Sequence, residues 1–147
     1  MPFTPKKCVV VPIDFSDSSI GAIETALEFA LNPASVHVIH VVLPTANFSP
    51  EGEWAPLPVD EVPYASEHKR LADYLEQHGF KNVTQVVRFG DPGTEVADYA
   101  REQNADLIVI PSHGYQGVKR LVFGSVAESV IRHVGCAVLV LHRADSD

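Results

Sequence analysis

The residue types and spacing best suited to chemistry are Pro111-Ser112-His113-Gly114, nine further residues, and then Gly124-Ser125. This stretch follows the apolar run Leu107-Ile108-Val109-Ile110 and precedes the amphipathic run Val126 to Val134. It reads as a buried strand, a loop with glycines at spaced points, and a helix opening on Gly-Ser. A helix start exposes unpaired backbone N–H groups and the positive end of a dipole, so such a loop suits an anion, most often a phosphate. Ser125-Val126-Ala127-Glu128 also fits the S-x-x-E capping box. There the serine oxygen accepts an amide of the first turn, which leaves fewer donors for a phosphate. Lys119 and Arg120 could swing onto phosphates, but solvated surface charge is the simpler reading of both.

Sharper motifs are absent. The chain has no G-x-x-x-x-G-K-[ST], no G-x-G-x-x-G and no G-x-S-x-G, which removes the P-loop, the dinucleotide fingerprint and the esterase elbow. Ser112 and His113 are adjacent, and no strained nucleophile turn surrounds them, so a hydrolytic triad is not expected. His37, His40, His68, His78, His113, His133 and His142 are scattered, without the spacing of a metal set. His113 alone would fall near the glycine loop. No catalytic residue and no metal ligand is assigned.

The elements that must position these loops alternate in type. Lys7 to Val11, Val36 to Val42, Val83 to Phe89, Asp106 to Ile110 and Ala137 to Leu141 are short, apolar and β-branched, as strands covered on both faces are. Between them run helical stripes: Ile20, Ile23, Leu27, Ala30 and Leu31; Tyr64, His68, Leu71 and Leu75; Val96, Ala97 and Ala100; Val126, Val130, Ile131 and Val134. Asp91-Pro92 reads as an N-cap followed by a first-turn proline. His78-Gly79 and Val134-Gly135 read as helix ends.

This order implies an open parallel five-stranded α/β sheet with helices on both faces, in one domain spanning residues 1–147. Right-handed crossovers favour the strand order 3-2-1-4-5, with a switch point between the first and fourth strands. Pro12-Ile13-Asp14 and the Pro111 to Ser125 loop would then face one crevice.

Bulk properties narrow the partners. At 147 residues, with nearly half of them apolar, the chain can build a real core. A net charge of −8 argues against nucleic acid. No apolar run approaches the roughly 20 residues of a membrane helix, and the opening residues lack a signal-peptide pattern. Cys8 and Cys136, if they open parallel strands on either side of a third, lie roughly 9–10 Å apart. That is too far for a disulfide, and it suggests two buried thiols and a cytoplasmic location. Pro44 to Pro63 resists the scheme: five prolines, four acidic residues and the sole tryptophan, Trp54, form an insertion with the composition of a lid, a partner surface or a mobile loop.

The glycine pattern resembles that of the universal stress protein family, whose marker is Gly, two residues, Gly, nine residues, then Gly-Ser or Gly-Thr. Val10-Val11-Pro12-Ile13-Asp14-Phe15-Ser16, Asp106-Leu107-Ile108-Val109, Gly124-Ser125-Val126-Ala127-Glu128 and Ala137-Val138-Leu139-Val140 resemble it as well. The likeness covers nearly the whole chain and implies a Rossmann-like fold of the adenine-nucleotide alpha-hydrolase type. It further implies ATP or AMP as ligand, with Mg2+ as an accompanying ion, and a role in stress response or signalling. Slow ATP hydrolysis is the most activity it implies.

Carried over by motif, Pro12, Ile13 and Asp14 would contact adenine and ribose, and Val41 would wall the base. Gly114, Gly124, Ser125 and Val126 would offer N–H groups to the phosphates. Pro111 stands where the family has its first glycine and supplies no N–H, a loss of about 0.5–1.5 kcal/mol. The alternative is therefore a homodimeric adaptor that has lost its nucleotide. The resemblance implies a homodimer through the apolar edge strand Ala137 to Leu141, an edge that needs cover on physical grounds too.

Overall fold

The computed structural model describes residues 5–43, 64–111 and 120–141, the side chains of 120–125 excepted. The strands are β1 (Val9–Pro12), β2 (Val36–Val42), β3 (Thr84–Phe89), β4 (Leu107–Pro111) and β5 (Ala137–Leu141). The helices are α1 (Asp17–Phe29), α2 (Tyr64–Gln77), α3 (Pro92–Glu102) and α4 (Arg120–His133). All neighbouring strands run parallel, in the order β3-β2-β1-β4-β5. The expected Rossmann-like α/β sheet is therefore present.

Burial follows position in the sheet. Every residue of β1 and β4 is buried, whereas no residue of the edge strand β5 is fully so. The alternation of a strand assigns its side chains to two cores. Val9, Val11, Val36 and Val38 pack with Ile23 of α1 and Leu71 and Leu75 of α2. Val10, Ile39, Ile108 and Ile110 pack with Val96 and Ala100 of α3 and Val126 and Val130 of α4. Two helices thus cover each face, so strands with apolar residues at every position lose little by burying them all.

Local chemistry fixes the helix ends. Asp91 caps α3, its carboxylate accepting from the Thr94 N–H at 3.0 Å and from the Thr94 hydroxyl at 2.9 Å. α2 closes with Gly79 at φ +79°, Phe80 N–H donating to the Leu75 carbonyl and Gly79 N–H to that of Glu76. This is a Schellman motif. Asn104, at φ +52°, closes α3 the same way. Gly135 lies beyond α4 without a left-handed φ, so its glycine is not what ends that helix.

One boundary departs from the sequence reading. α4 begins at Arg120, so Gly124 and Ser125 lie within it and Ser125 is not its N-cap. The amphipathic stripe from Val126 onward places Val126 and Val130 in the core, and the S-x-x-E pattern at Ser125 imitates a helix start inside the helix.

Asp106, just before β4, accepts from the N–H groups of Lys7 (2.6 Å) and Cys8 (3.3 Å), tying the entry of β1 to that of β4. Cys8 and Cys136 align with it in register on either side, both as free thiols. Cys8 is buried and Cys136, expected to be buried, is half-buried. Burial, then the Asp106 carboxylate and the second thiol, push the Cys8 thiol up to about 11. The insertion at residues 44–63 lies outside the described residues.

Candidate functional site

The centre of the sheet has a seam. β1 and β2 stay in register over four pairs and β4 and β5 over five, but β1 and β4 hold only Val9 to Leu107 and Val10 to Ile108. Both strands finish on a proline, Pro12 and Pro111, and a proline gives the ladder no N–H. Beyond this seam the chain leaves β1 toward α1 and leaves β4 toward α4. That is the switch point of an open parallel sheet, the usual place for a ligand.

The turn after β1 is built around Asp14. Ile13 is buried, and its N–H still donates to the Ile39 carbonyl at 3.0 Å, so the turn starts from a fixed strand end. One oxygen of Asp14, Oδ1, accepts from the Ser16 N–H and from the Ser19 hydroxyl, each at 3.0 Å. The Ser19 oxygen accepts in return from the Asp14 N–H at 3.2 Å. The other oxygen, Oδ2, is buried and has no hydrogen-bond partner among the described residues. A buried carboxylate oxygen without a donor costs about 1–3 kcal/mol, so it marks a place where a ligand hydroxyl or amine would be stabilised.

Phe15 holds the turn in shape. Its φ of +67° is unusual for a bulky residue, and three neighbours keep it there. The His40 ring meets it edge-on at 4.5 Å, the Tyr74 ring at 5.1 Å, and the Arg70 guanidinium lies 4.1 Å from its centroid. The Tyr74 hydroxyl donates to the Ser16 carbonyl at 3.3 Å. Burial, then the charges of Asp14 and Asp17, push that phenol up to about 12, so it remains a donor.

The residues singled out from the sequence fall into three groups. Pro12, Ile13, Asp14, Val41 and Pro111 all stand at or just past the carboxyl ends of the three adjacent strands β2, β1 and β4. Val41 is half-buried against the α3–α4 core, and Pro111 is buried beside Leu141 of β5. Gly114 and His113 lie outside the described residues. Gly124, Ser125 and Val126 lie inside α4, fifth to seventh from its first residue, where backbone amides bond within the helix. The Val126 side chain belongs to the core.

The sequence reading missed Ser19, Phe15 and His40. The spacing Asp14-x-Ser16-x-x-Ser19 could have shown the first, because a carboxylate at a helix entry commonly takes hydroxyl and amide donors of the first turn. Tyr74 of α2, which the helical stripe does not include, also braces the turn through its bond to Ser16.

Comparison with known proteins agrees with this architecture. A universal stress protein of Methanocaldococcus jannaschii is 35% identical over 143 residues, covering 93% of this chain and 82% of that protein. A universal stress protein solved in complex with cAMP superposes with a TM-score of 0.60 at 24% identity, over 95% of this chain and 98% of the other. The universal stress protein from Archaeoglobus fulgidus in complex with dAMP gives a TM-score of 0.55 at 22% identity, over 97% and 100%. At such identities these two structures speak for the fold, and their ligands are theirs. The universal stress protein family model matches residues 6–142, the span that carries all five strands, all four helices and the Asp14 turn, and the chain therefore belongs to the universal stress protein family.

Proposed function

We propose that this chain binds an adenine nucleotide, ATP or AMP, in the crevice between the carboxyl ends of β1 and β4, and that it works through that ligand in stress response or signalling. The observation that carries the reading is Asp14 Oδ2, a buried acceptor without a donor, held at the switch point by Ser16 and Ser19. A ribose presents two hydroxyl donors of the kind this oxygen lacks. Pro12, Ile13 and Val41 supply an apolar setting for the base. The complexes of relatives with cAMP and dAMP support an adenine ligand in proteins of this fold. The phosphate part of the reading rests on Gly114, Gly124, Ser125 and Val126. Three of these lie within α4, so a grip by their amides requires the first turns of that helix to open.

A second reading has its own observation. Pro111 replaces the family's first glycine, is buried, and is paired with β5, so that position gives no N–H to a phosphate. On that reading the chain is a homodimeric adaptor without a nucleotide. Titration calorimetry with ATP, AMP and a non-adenine nucleotide separates the two. Heat with the adenine ligands supports the first reading, and silence with all three overturns it.

Asp14→Asn is the sharper variant, because its amide oxygen can keep the bonds to Ser16 and Ser19 while Oδ2 becomes a donor. Loss of a hydrogen bond to a charged acceptor predicts an affinity about 10- to 100-fold lower with the fold intact. The dimer, formed through Ala137 to Leu141, predicts a sedimentation mass twice that of the chain.

A further inference from the structure

His40 is a half-buried side chain beside the Asp14 turn whose chemistry the nucleotide reading leaves unused. It sits one step past the Pro12–Ile39 pair, so it stands opposite Ile13 across the β1–β2 ladder. Its side chain is only 12% exposed, and Nε2 meets Glu67 Oε1 of α2 at 3.2 Å. Nδ1 is buried with no hydrogen-bond partner among the described residues, and the Ile13 backbone lies close enough to the ring to favour its proton. The flat edge of the imidazole supports Phe15, the residue held at positive φ.

These contacts fix what a proton would do. In the neutral ring, Nε2–H donates to Glu67 and Nδ1 keeps an unused lone pair. A second proton turns Nδ1 into a buried donor, which must find an acceptor. The Ile13 carbonyl is the acceptor at hand, and it belongs to the peptide that leads into Asp14. A bond from Nδ1–H draws on the peptide whose N–H Ser19 accepts at 3.2 Å, so it bears directly on Asp14 and its free Oδ2.

We propose that His40 is a positioning residue whose protonation reshapes the Ile13–Phe15 turn and thereby weakens the adenine-nucleotide site. This inference rests on the proposed nucleotide function for its consequence, but the movement of the turn stands apart from it. Of the charged groups on the packed elements, Glu67 of α2 favours the proton and Arg70 of α2 opposes it. The β1–α1 turn contributes the Ile13 backbone and the Phe15 ring, with the Asp14 carboxylate turned to its serines. Across the other ladder, β3 presents neutral Val87. Burial outweighs these charges and holds His40 below the ordinary imidazole range, so the ring is neutral at neutral pH and the change belongs to acidification.

The test follows the full-length chain by NMR and by ATP titration between about pH 8 and about pH 5. The amide resonances of Ile13, Asp14 and Phe15 should move with the midpoint of the His40 ring signal. In His40→Gln they should not move with it, and in Glu67→Gln the midpoint should shift to lower pH. ATP affinity should fall on acidification by at least about threefold more in the wild type than in His40→Gln, a comparison in which titration of the ATP phosphates cancels. Turn resonances that ignore the His40 titration overturn the proposal. So does an equal pH dependence of ATP affinity in the two proteins. If no adenine nucleotide binds at any pH, the proposed function fails, and co-titration of the turn then decides whether His40 sets its shape.

Discussion

Ser19 is fully buried and makes two bonds with one residue: its hydroxyl donates to Asp14 Oδ1 and its oxygen accepts the Asp14 N–H. Ser19→Ala would leave both Asp14 groups, the N–H and Oδ1, short of a partner. A loss of about 1–3 kcal/mol in urea unfolding is expected, because an orphaned buried polar group costs more than a hydrogen bond gains. The same variant should lower adenine-nucleotide affinity, since it frees the carboxylate that the ligand would find fixed. At this scale the sequence pointed to Asp14 through the family motif Val10-Val11-Pro12-Ile13-Asp14 and its place after an apolar strand. It did not show Phe15, because nothing in the letters Asp-Phe-Ser signals a left-handed backbone at an aromatic residue. That conformation is imposed by His40, Tyr74 and Arg70, which arrive from β2 and α2.

Among the elements, α3 and α4 approach closely at Gly93. A Cβ at that position would stand 2.6 Å from both Cβ and Oγ of Ser129, closer than any real contact. Gly93→Ala should therefore destabilise the chain by about 1–3 kcal/mol by forcing the two helices apart. Ser129→Gly in the same chain should restore most of the loss, and chemical denaturation of the single and double variants checks both statements. Asp91→Ala removes the cap of α3, with an expected cost of about 1 kcal/mol in the same measurement. The cap was legible, because Asp-Pro before a helical stripe is a local signal that needs no partner. The close approach was not, because a glycine in a first helical turn has several uses and Ser129 is 36 residues away. The start of α4 was misplaced for a related reason. Ser125-Val126-Ala127-Glu128 fits a capping box locally, and the helix that runs through it from Arg120 shows only in three dimensions.

For the whole molecule, His37 and His40 are both held below their ordinary range, in each case first by burial. The unfolded chain takes up these protons near pH 6.5 and the folded chain only at lower pH, so between the two the unfolded state binds more protons. Stability should therefore be full above about pH 6.5 and decline as the pH falls below it. Urea midpoints at a series of pH values check the sign. A stability that rises on mild acidification would contradict the burial of both rings. His37→Gln should reduce the slope while keeping an acceptor for the Tyr99 hydroxyl, which meets His37 Nδ1 at 2.6 Å.

The sequence by itself determined the alternation of strands and helices, the parallel order 3-2-1-4-5, the convergence of Pro12-Ile13-Asp14 and Pro111 at one seam, and the family. These follow from periodicity, crossover handedness and local motifs, which are properties of neighbouring residues. Tertiary structure alone decided that Asp14 keeps one oxygen free, that Phe15 is bent backwards under His40, and that Gly124 and Ser125 lie inside a helix. Each depends on which atoms remain unpaired after distant segments pack, and hydrogen-bond accounting can be closed only when every neighbour is in place.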